Sequence, residues 1–491
     1  MTAMRLDALL PSVATPAAGG RVVSGLTLDS RSVRAGDAFV ALAGTTHHGI
    51  EFADAAFAQG ATVVIAETHG AGPALRGHDA RVVWVDGLRE RLGAIAARFY
   101  GDPSAAMTVV GVTGTSGKTS TVQLLAQAFT LIGRRAATIG TLGAGLHGAL
   151  HAGERTTPDV IRVHGLMAEF RAAGADAVAM EVSSHALDQH RVDGIHFDVT
   201  VFTNLTRDHL DYHQTMEAYF AAKARLFAWP DLVAAVINVD DPYGRRLLDR
   251  VAPGTRVWRY GIEAADADVR ATHVRLDADG IRFELATPWG QGAIRSRLLG
   301  RFNVANLLAV AGTLGALGVG FEGIRAALAA AEPVAGRMNR LGGGAAPLVV
   351  VDYSHKPDAL EQALATLRAH CEGRLVCVFG CGGERDAGKR PLMGAIAERR
   401  ADAVIVTDDN PRGEDGDAIV AQIVAGMRAP EQARVERDRA RAIGQAIATA
   451  RAGDVVLIAG KGHETYQESH GVKRPFDDLK VARAALEAHP C

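Results

Sequence analysis

The sequence predicts an α/β protein built from three domains. Three observations predict it: a length of 491 residues, too long for one ordinary core; short apolar strand-like runs that alternate with helical stretches; and 55 glycines against 5% aromatics, which suits α/β units joined by glycine turns. Lys and Arg number 53 against 55 Asp and Glu, for a net charge of -2. That balance gives no basic face for nucleic acid, so an anionic ligand must be held by a local site. No run approaches the roughly 18 apolar residues of a membrane span, and the N-terminus has no continuous apolar core. A cytoplasmic chain with no membrane partner is therefore expected. Cys371, Cys377, Cys381 and Cys491 form neither a C-x-x-C pair nor a zinc spacing with histidine, and are expected to be reduced and structural.

Residues 1–102 read as a small α/β domain. VVSGLTL, DAFVALAG and ATVVIAE surround a helical stretch, EFADAAFAQG, and VVWV at 82–85 precedes a helix over 88–99. Gly101, Asp102 and Pro103 then break the pattern with turn chemistry. The second domain, 103–337, opens on the strand MTVVGVT, followed by a helix from Ser120 with Val122, Leu125, Phe129 and Ile132 on one face. ATIGT, AVAMEV, VTVFTN and AAVINV read as further strands of a buried, mostly parallel sheet. WRYGI, VRATHVRLDA, IRFELAT and AIRSRLL read as antiparallel strands, and GRFNVANLLAVAGTLGALG as a long helix. In the third domain, 338–491, LVVVDY, LVCVFG, DAVIVTDD and DVVLIAG alternate with helices at 357–369, 391–399, 416–428 and 439–451, the pattern of a Rossmann-like doubly wound sheet.

The most specific chemical signal is VVGVTGTSGKTS, where a buried strand runs through Gly114, Thr115, Ser116, Gly117, Lys118, Thr119 and Ser120 into an amphipathic helix. Glycines let backbone N–H groups approach phosphate oxygens, and the helix N-terminus favours negative charge. Lys118 reaches the terminal phosphates, and the Thr119 hydroxyl suits Mg²⁺. ATP or GTP is the expected ligand of this P-loop. The strict pattern would place a glycine where Val112 stands, with glycines here at 111 and 114 instead.

TGTSGKTS, MEVSSHAL at 180–187, TNLTRDHLDYH at 203–213 and GRFNVANLLA at 300–309 together resemble the Mur ligase family across nearly the whole chain. The resemblance implies an N-terminal domain for a UDP-linked precursor, a central ATPase domain and a C-terminal domain that brings an amino acid. TLDSR at 27–31, DYSHKPDAL at 352–360, GCGGERDAGKRPLM at 380–393, TDDNPR at 407–412 and KGHE at 461–464 resemble in particular the third ligase of peptidoglycan precursor synthesis, the pathway in which that family acts.

That likeness places Glu181 and His209 at Mg²⁺, each following a strand-like run; on residue type alone either is a polar loop group. Lys223, in the mostly apolar helical run EAYFAAKARLF, is either a snorkelling lysine or, as the family pattern implies, a carbamylated one (N6-carboxylysine) able to hold a second Mg²⁺ or the transferring phosphoryl. Leu28, Ser30, Thr45, Thr46 and His47 match positions that hold the UDP sugar. Thr156, Thr157, Ser183, Gln189 and Arg191 match those near the peptide, although each Ser or Thr alone also suits a turn or cap. Asn303, Asn306, Arg337 and Asp352 match nucleotide contacts.

Asp409, Asn410, Pro411 and Arg412 are the discriminating element, because a guanidinium grips a distal carboxylate in bidentate fashion. Arg412 thus points to meso-diaminopimelate over lysine, with Arg385, Gly460 and Glu464 completing the pocket. The same four residues also suit an Asx-Pro turn. The implied partners are ATP, UDP-N-acetylmuramoyl-L-alanyl-D-glutamate and meso-diaminopimelate, and a monomer is expected. The implied reaction is amide formation through an acyl phosphate. Rival readings are a folylpolyglutamate synthetase and a P-loop NTPase switch that makes no bond.

Overall fold

The computed structural model describes residues 3–13, 18–44, 46–72, 79–153, 155–277, 279–334 and 336–488; Thr45 and Cys491 lie outside this set. The chain divides into two compact units, residues 1–267 with 312–318 and residues 268–311 with 319–491.

Besides a two-stranded antiparallel pair, Met4–Arg5 with Val22–Val23, the first unit holds two larger sheets. Gly25–Thr27, Asp37–Ala41, Val63–Glu67 and Val82–Val85 pair in parallel in that order. Val63–Glu67 is buried along its whole length because alternate side chains serve opposite faces. Val63 and Ile65 enter one apolar cluster, Val64 and Ala66 the other. The predicted helix EFADAAFAQG is shorter than expected: a 3-10 turn, Gly49–Phe52, leads into Ala53–Ala58.

The second sheet of this unit runs Ala149–His151, Gly143–Leu146, Ala136–Gly140, Ala177–Glu181, Thr108–Thr113, Val199–Phe202, Ala234–Asn238, Arg256–Gly261. From Ala136–Gly140 to Arg256–Gly261 every neighbouring pair is parallel. The expectation that WRYGI is antiparallel is corrected here. The helix Pro242–Leu247 lies between Ala234–Asn238 and this strand, and a helical crossover returns the chain in the same direction. The strands that follow Thr108–Thr113 go first to one side of it and later to the other, so the chain reverses about this strand. In open α/β sheets such a point opens a crevice at the carboxyl ends of the strands.

In the second unit Val269–Asp277, Gly280–Thr287 and Gly290–Ser296 form the expected antiparallel meander. Arg301–Ala316 is the long helix read from sequence. A six-stranded sheet runs Asn339–Gly342, Leu348–Asp352, Val455–Ala459, Leu375–Phe379, Ala403–Val406, Arg434–Val435, antiparallel only at its first pair. Separate apolar clusters cover its two faces, one containing Leu360, Leu364, Met393 and Ile423, the other Ile443 and Ile447, so it is doubly wound. Cys371, Cys377 and Cys381 carry free thiols, and burial pushes those of Cys377 and Cys381 up to about 12. Among the described residues no helix is long and apolar enough to cross a membrane.

Candidate functional site

The phosphate loop leaves the strand Thr108–Thr113 and enters the helix Lys118–Leu131, two residues earlier than the predicted start at Ser120. Gly114 has φ +149°, and a Cβ there would lie 1.9 Å from Thr203 Oγ1, so only glycine fits. Gly117 caps the helix from the left-handed region. The loop is held by the TNLT segment: Ser116 N donates to Asn204 Oδ1 (2.9 Å), and Asn204 Nδ2 and Thr203 Oγ1 donate to Ser116 O. Lys118 Nζ donates to the carbonyls of Gly114 (2.8 Å) and Thr115 (2.9 Å).

Directly behind the loop lies Lys223, on the helix Met216–Ala224 and 1% exposed. Its Nζ donates to the same Gly114 carbonyl (3.0 Å) and stands 4.6 Å from the centre of the Tyr219 ring, whose hydroxyl is 3.2 Å from Thr115 Oγ1. Snorkelling is excluded by this burial. Burial first, and then the Lys118 ammonium, push the Lys223 amine well below its ordinary value.

Glu181 is the last residue of its strand, opposite Val112 on the P-loop strand, and is 1% exposed. It is thus a buried strand residue and not a loop group. Its carboxylate accepts from Thr141 N (2.8 Å) and Thr141 Oγ1 (3.2 Å), and the Thr141 hydroxyl is 3.1 Å from that of Thr156. Thr157 Oγ1 donates to Glu181 O, and Ser183 N donates to Thr157 Oγ1. Ser183 also caps the short helix Ser184–Asp188, so the bland and functional readings of this hydroxyl coexist. Arg191 donates to Thr157 O (3.1 Å) and to Gln189 Oε1, and Gln189 Nε2 donates to Tyr212 Oη. One continuous network therefore joins the proposed metal carboxylate to all five residues read as peptide contacts. His209 has φ +53°, lies 3.6 Å from an Asp208 oxygen, and packs edge-on against His185.

Leu28, Ser30 and His47 line a cleft of about 1210 Å³ with Arg31, Arg155 and Arg162, whose guanidinium groups suit a pyrophosphate. Thr46 is exposed and His47 Nδ1 lies 3.1 Å from Glu51 Oε2.

The remaining predicted residues belong to the second unit. Asn303 Nδ2 donates to Leu299 O, and Asn303 Oδ1 accepts from Asn306 Nδ2, both side chains being buried. Arg337 is exposed. Asp352 accepts from Met338 N (2.8 Å) and from the Ser354 hydroxyl. Arg412, at φ +52°, donates through Nη1 to Gly383 O (2.7 Å), and a Cβ on Gly382 would approach Arg412 Nη1 at 2.9 Å and Arg385 Cγ at 3.8 Å. The sequence pair Arg385 and Arg412 is thereby brought to one glycine turn. That turn is anchored by Arg390, 1% exposed, which donates to Gly382 O and pairs with Glu414. Asp409 is buried, which raises its carboxyl, and a Cβ on Gly460 would lie 2.5 Å from its Oδ2. Asn410 Nδ2 donates to Glu464 Oε2 (2.8 Å), so the fold joins these two predicted residues directly. The predicted Asx-Pro turn is not formed: Arg412 N donates to Glu468 O, and Asn410 Oδ1 accepts from Lys461 Nζ and Glu468 N instead.

Three family models match the chain: the Mur ligase family catalytic domain over 22–100, the Mur ligase middle domain over 112–314, and the Mur ligase glutamate ligase domain over 336–462. A Xylella fastidiosa (strain 9a5c) protein named UDP-N-acetylmuramoyl-L-alanyl-D-glutamate--2,6-diaminopimelate ligase is 58% identical, covering 99% of this chain and 98% of its own. The chain belongs to the Mur ligase family. A solved structure of a protein of that same name is 36% identical, with a TM-score of 0.80 and 99% of each chain covered. A Mycobacterium tuberculosis folylpolyglutamate synthase shares the fold at 20% identity, TM-score 0.58, over 76% of this chain and 92% of its own.

Several residues of the candidate site were not among those predicted from the sequence. Thr141, Asn204, Tyr219 and Lys461 are ordinary polar residues whose roles arise from contacts 40, 88, 104 and 51 positions away. All four lie inside runs singled out in the sequence, Thr141 in ATIGT, Asn204 in TNLTRDHLDYH, Tyr219 in EAYFAAKARLF and Lys461 in KGHE, but their partners are not written there.

Proposed function

We propose that this chain is an ATP-dependent amide ligase that joins meso-diaminopimelate to the γ-carboxylate of the D-glutamyl residue in UDP-N-acetylmuramoyl-L-alanyl-D-glutamate, in peptidoglycan synthesis. The observation that carries it is the phosphate loop ending one parallel strand with the buried Glu181 ending the next, Val112 opposite Glu181. Full-length likeness to a ligase of that name supports the same reading.

In this reading residues 1–102 hold the UDP moiety, 103–337 hold ATP and 338–491 bring the amino acid. The chain acts as a cytoplasmic monomer. The γ-phosphoryl of ATP passes to the glutamyl carboxylate, giving an acyl phosphate and ADP. The amine of diaminopimelate attacks the acyl carbon, the amide forms and phosphate leaves. Gly114–Ser120 cradle the phosphates, with Lys118 neutralising charge that develops on them. Arg191 and the hydroxyls of Thr156, Thr157 and Ser183 hold the peptide carboxylates in line, which is the larger part of such catalysis.

The donor set fits Mg²⁺: the Thr119 hydroxyl and Glu181 carboxylate are hard oxygens, and His209 adds a half-exposed imidazole. When bound, the ion supplies charge neutralisation at the phosphates. Lys223 is suited to carry N6-carboxylysine, because burial favours the neutral amine and a neutral amine is the form that adds to CO₂. Arg412 grips the distal carboxylate of diaminopimelate and Glu464 takes its distal ammonium.

The test is phosphate release with Mg²⁺-ATP and the UDP-muramoyl dipeptide, supplied with meso-diaminopimelate, L-lysine or no amino acid, and mass detection of product. A diaminopimelate-dependent tripeptide is expected. Hydrolysis indifferent to both substrates would sink the ligase reading, and intact mass of an active preparation showing only free Lys223 would sink the carbamate.

A further inference from the structure

Lys461 is completely buried in the second unit, and the reaction above gives it no part. Two glycines turn it inward. Gly460 at φ +119° and Gly462 at φ +55° flank it, and a Cβ on Gly462 would lie 2.7 Å from Tyr353 Cβ, so the backbone is pressed against that residue. The ammonium then donates to Asn410 Oδ1 (3.0 Å) and Glu464 Oε2 (3.1 Å), while Asn410 Nδ2 donates to the same Glu464 oxygen (2.8 Å). Asn410 Oδ1 also accepts from Glu468 N (2.9 Å), and Glu468 O accepts from Arg412 N (3.0 Å). The triangle of Lys461, Asn410 and Glu464 is thus tied through one residue of backbone to Arg412.

Two consequences follow from charge alone. Among the described residues both side-chain donors use Glu464 Oε2, so Oε1 remains to accept from an incoming ammonium. Lys461 also already pairs with Glu464, so Glu464 is not a lone carboxylate that would attract a simple cation. An amino acid whose far end is only an ammonium gains little there. One whose far end is a zwitterion gains from its carboxylate as well, since that group meets Arg412, whose backbone is tied through Glu468 to the Lys461 triangle.

We propose that Lys461 is a specificity-determining positioning residue, which fixes Asn410 and Glu464 and makes the pocket select a zwitterionic over a purely cationic side-chain terminus. This rests on the ligase reading above. Diaminopimelate and L-lysine differ at their far end only by the carboxylate, so loss of the Lys461 charge must act on their ratio and not merely on rate.

The test uses the full chain with Mg²⁺-ATP and the UDP-muramoyl dipeptide, and compares kcat/KM for meso-diaminopimelate and L-lysine in wild type, Lys461→Met and Lys461→Arg. Lys461→Met is expected to lower the diaminopimelate-to-lysine ratio about tenfold, the scale of one charge-assisted contact, with Lys461→Arg recovering much of it. If Lys461→Met does not fold, Lys461→Gln removes the charge while keeping a donor, and the same ratio is read. A parallel fall for both amino acids, or no change in the ratio, overturns the proposal. A wild-type chain that uses neither amino acid overturns the ligase reading instead.

Discussion

Two buried lysines make opposite use of the same side chain. Lys223 lies behind the phosphate loop with a carbonyl and an aromatic ring for company and a second ammonium, Lys118, as its nearest strong charge. Lys461 lies behind the Asp409–Arg412 loop against a carboxylate and an amide oxygen. Without a counter-ion, burial favours the neutral amine, a nucleophile; with one, the ion pair offsets part of the cost of burial. The difference teaches that at equal depth the neighbouring charges set what a buried lysine can do.

Removing Lys118 has the largest expected effect on activity. Lys118→Ala should lower kcat by about 10²–10³-fold, the scale of one lost charge-stabilising donor. It also removes the repulsion on Lys223, so the Lys223 amine should titrate at higher pH in the variant, by ¹³C-observed lysine titration. No movement would show that burial alone sets that amine.

On the paired side of the comparison, Arg439 and Asp478 form a fully buried ion pair, Nε to Oδ1 and Nη2 to Oδ2 both 2.7 Å, and Arg439 Nη2 also donates to Ala459 O (3.1 Å). Arg439→Met strands Asp478 and is expected to cost about 3–5 kcal/mol in urea unfolding. A loss under about 1 kcal/mol would mean that water reaches Asp478.

Lys223→Met in CO₂-free buffer should stabilise the fold by about 1–2 kcal/mol near neutral pH, because an apolar side chain replaces a poorly paired buried amine. The sign with pH follows from its lowered value. Between that value and the ordinary lysine range the unfolded chain binds the proton and the folded chain does not, so wild-type stability rises with pH. The advantage of the variant should therefore shrink through that window, as Tm against pH would record. A constant advantage would contradict the assigned direction.

The smallest effect concerns Glu181, which has hydrogen-bond donors where Lys461 has acceptors. Thr141→Val removes the hydroxyl that bridges Glu181 and Thr156 but keeps the Thr141 N donor, and should raise the Mg²⁺ concentration for half-maximal rate about threefold to tenfold. An unchanged Mg²⁺ requirement with a raised KM for the UDP precursor would assign Thr141 to the peptide instead.

The amino-acid order by itself determined the α/β class, the P-loop from Gly114 to Ser120, and the strand-helix alternation of the third part, because each is written in local periodicity and in glycines whose backbone freedom is a local property. The DNPR and KGHE runs were likewise legible as segments. The parallel run of Arg256–Gly261 was not, since strand direction depends on how the helix Pro242–Leu247 crosses over, and an alternating pattern reads the same either way. Only the tertiary structure decided that Glu181 is buried and held by Thr141, that Lys223 shares the Gly114 carbonyl with Lys118 across 109 positions, and that Lys461 turns in to Asn410 and Glu464. The physical reason is that ionisation and orientation are set by desolvation and by neighbouring charge, and the chain brings those neighbours together only when it folds.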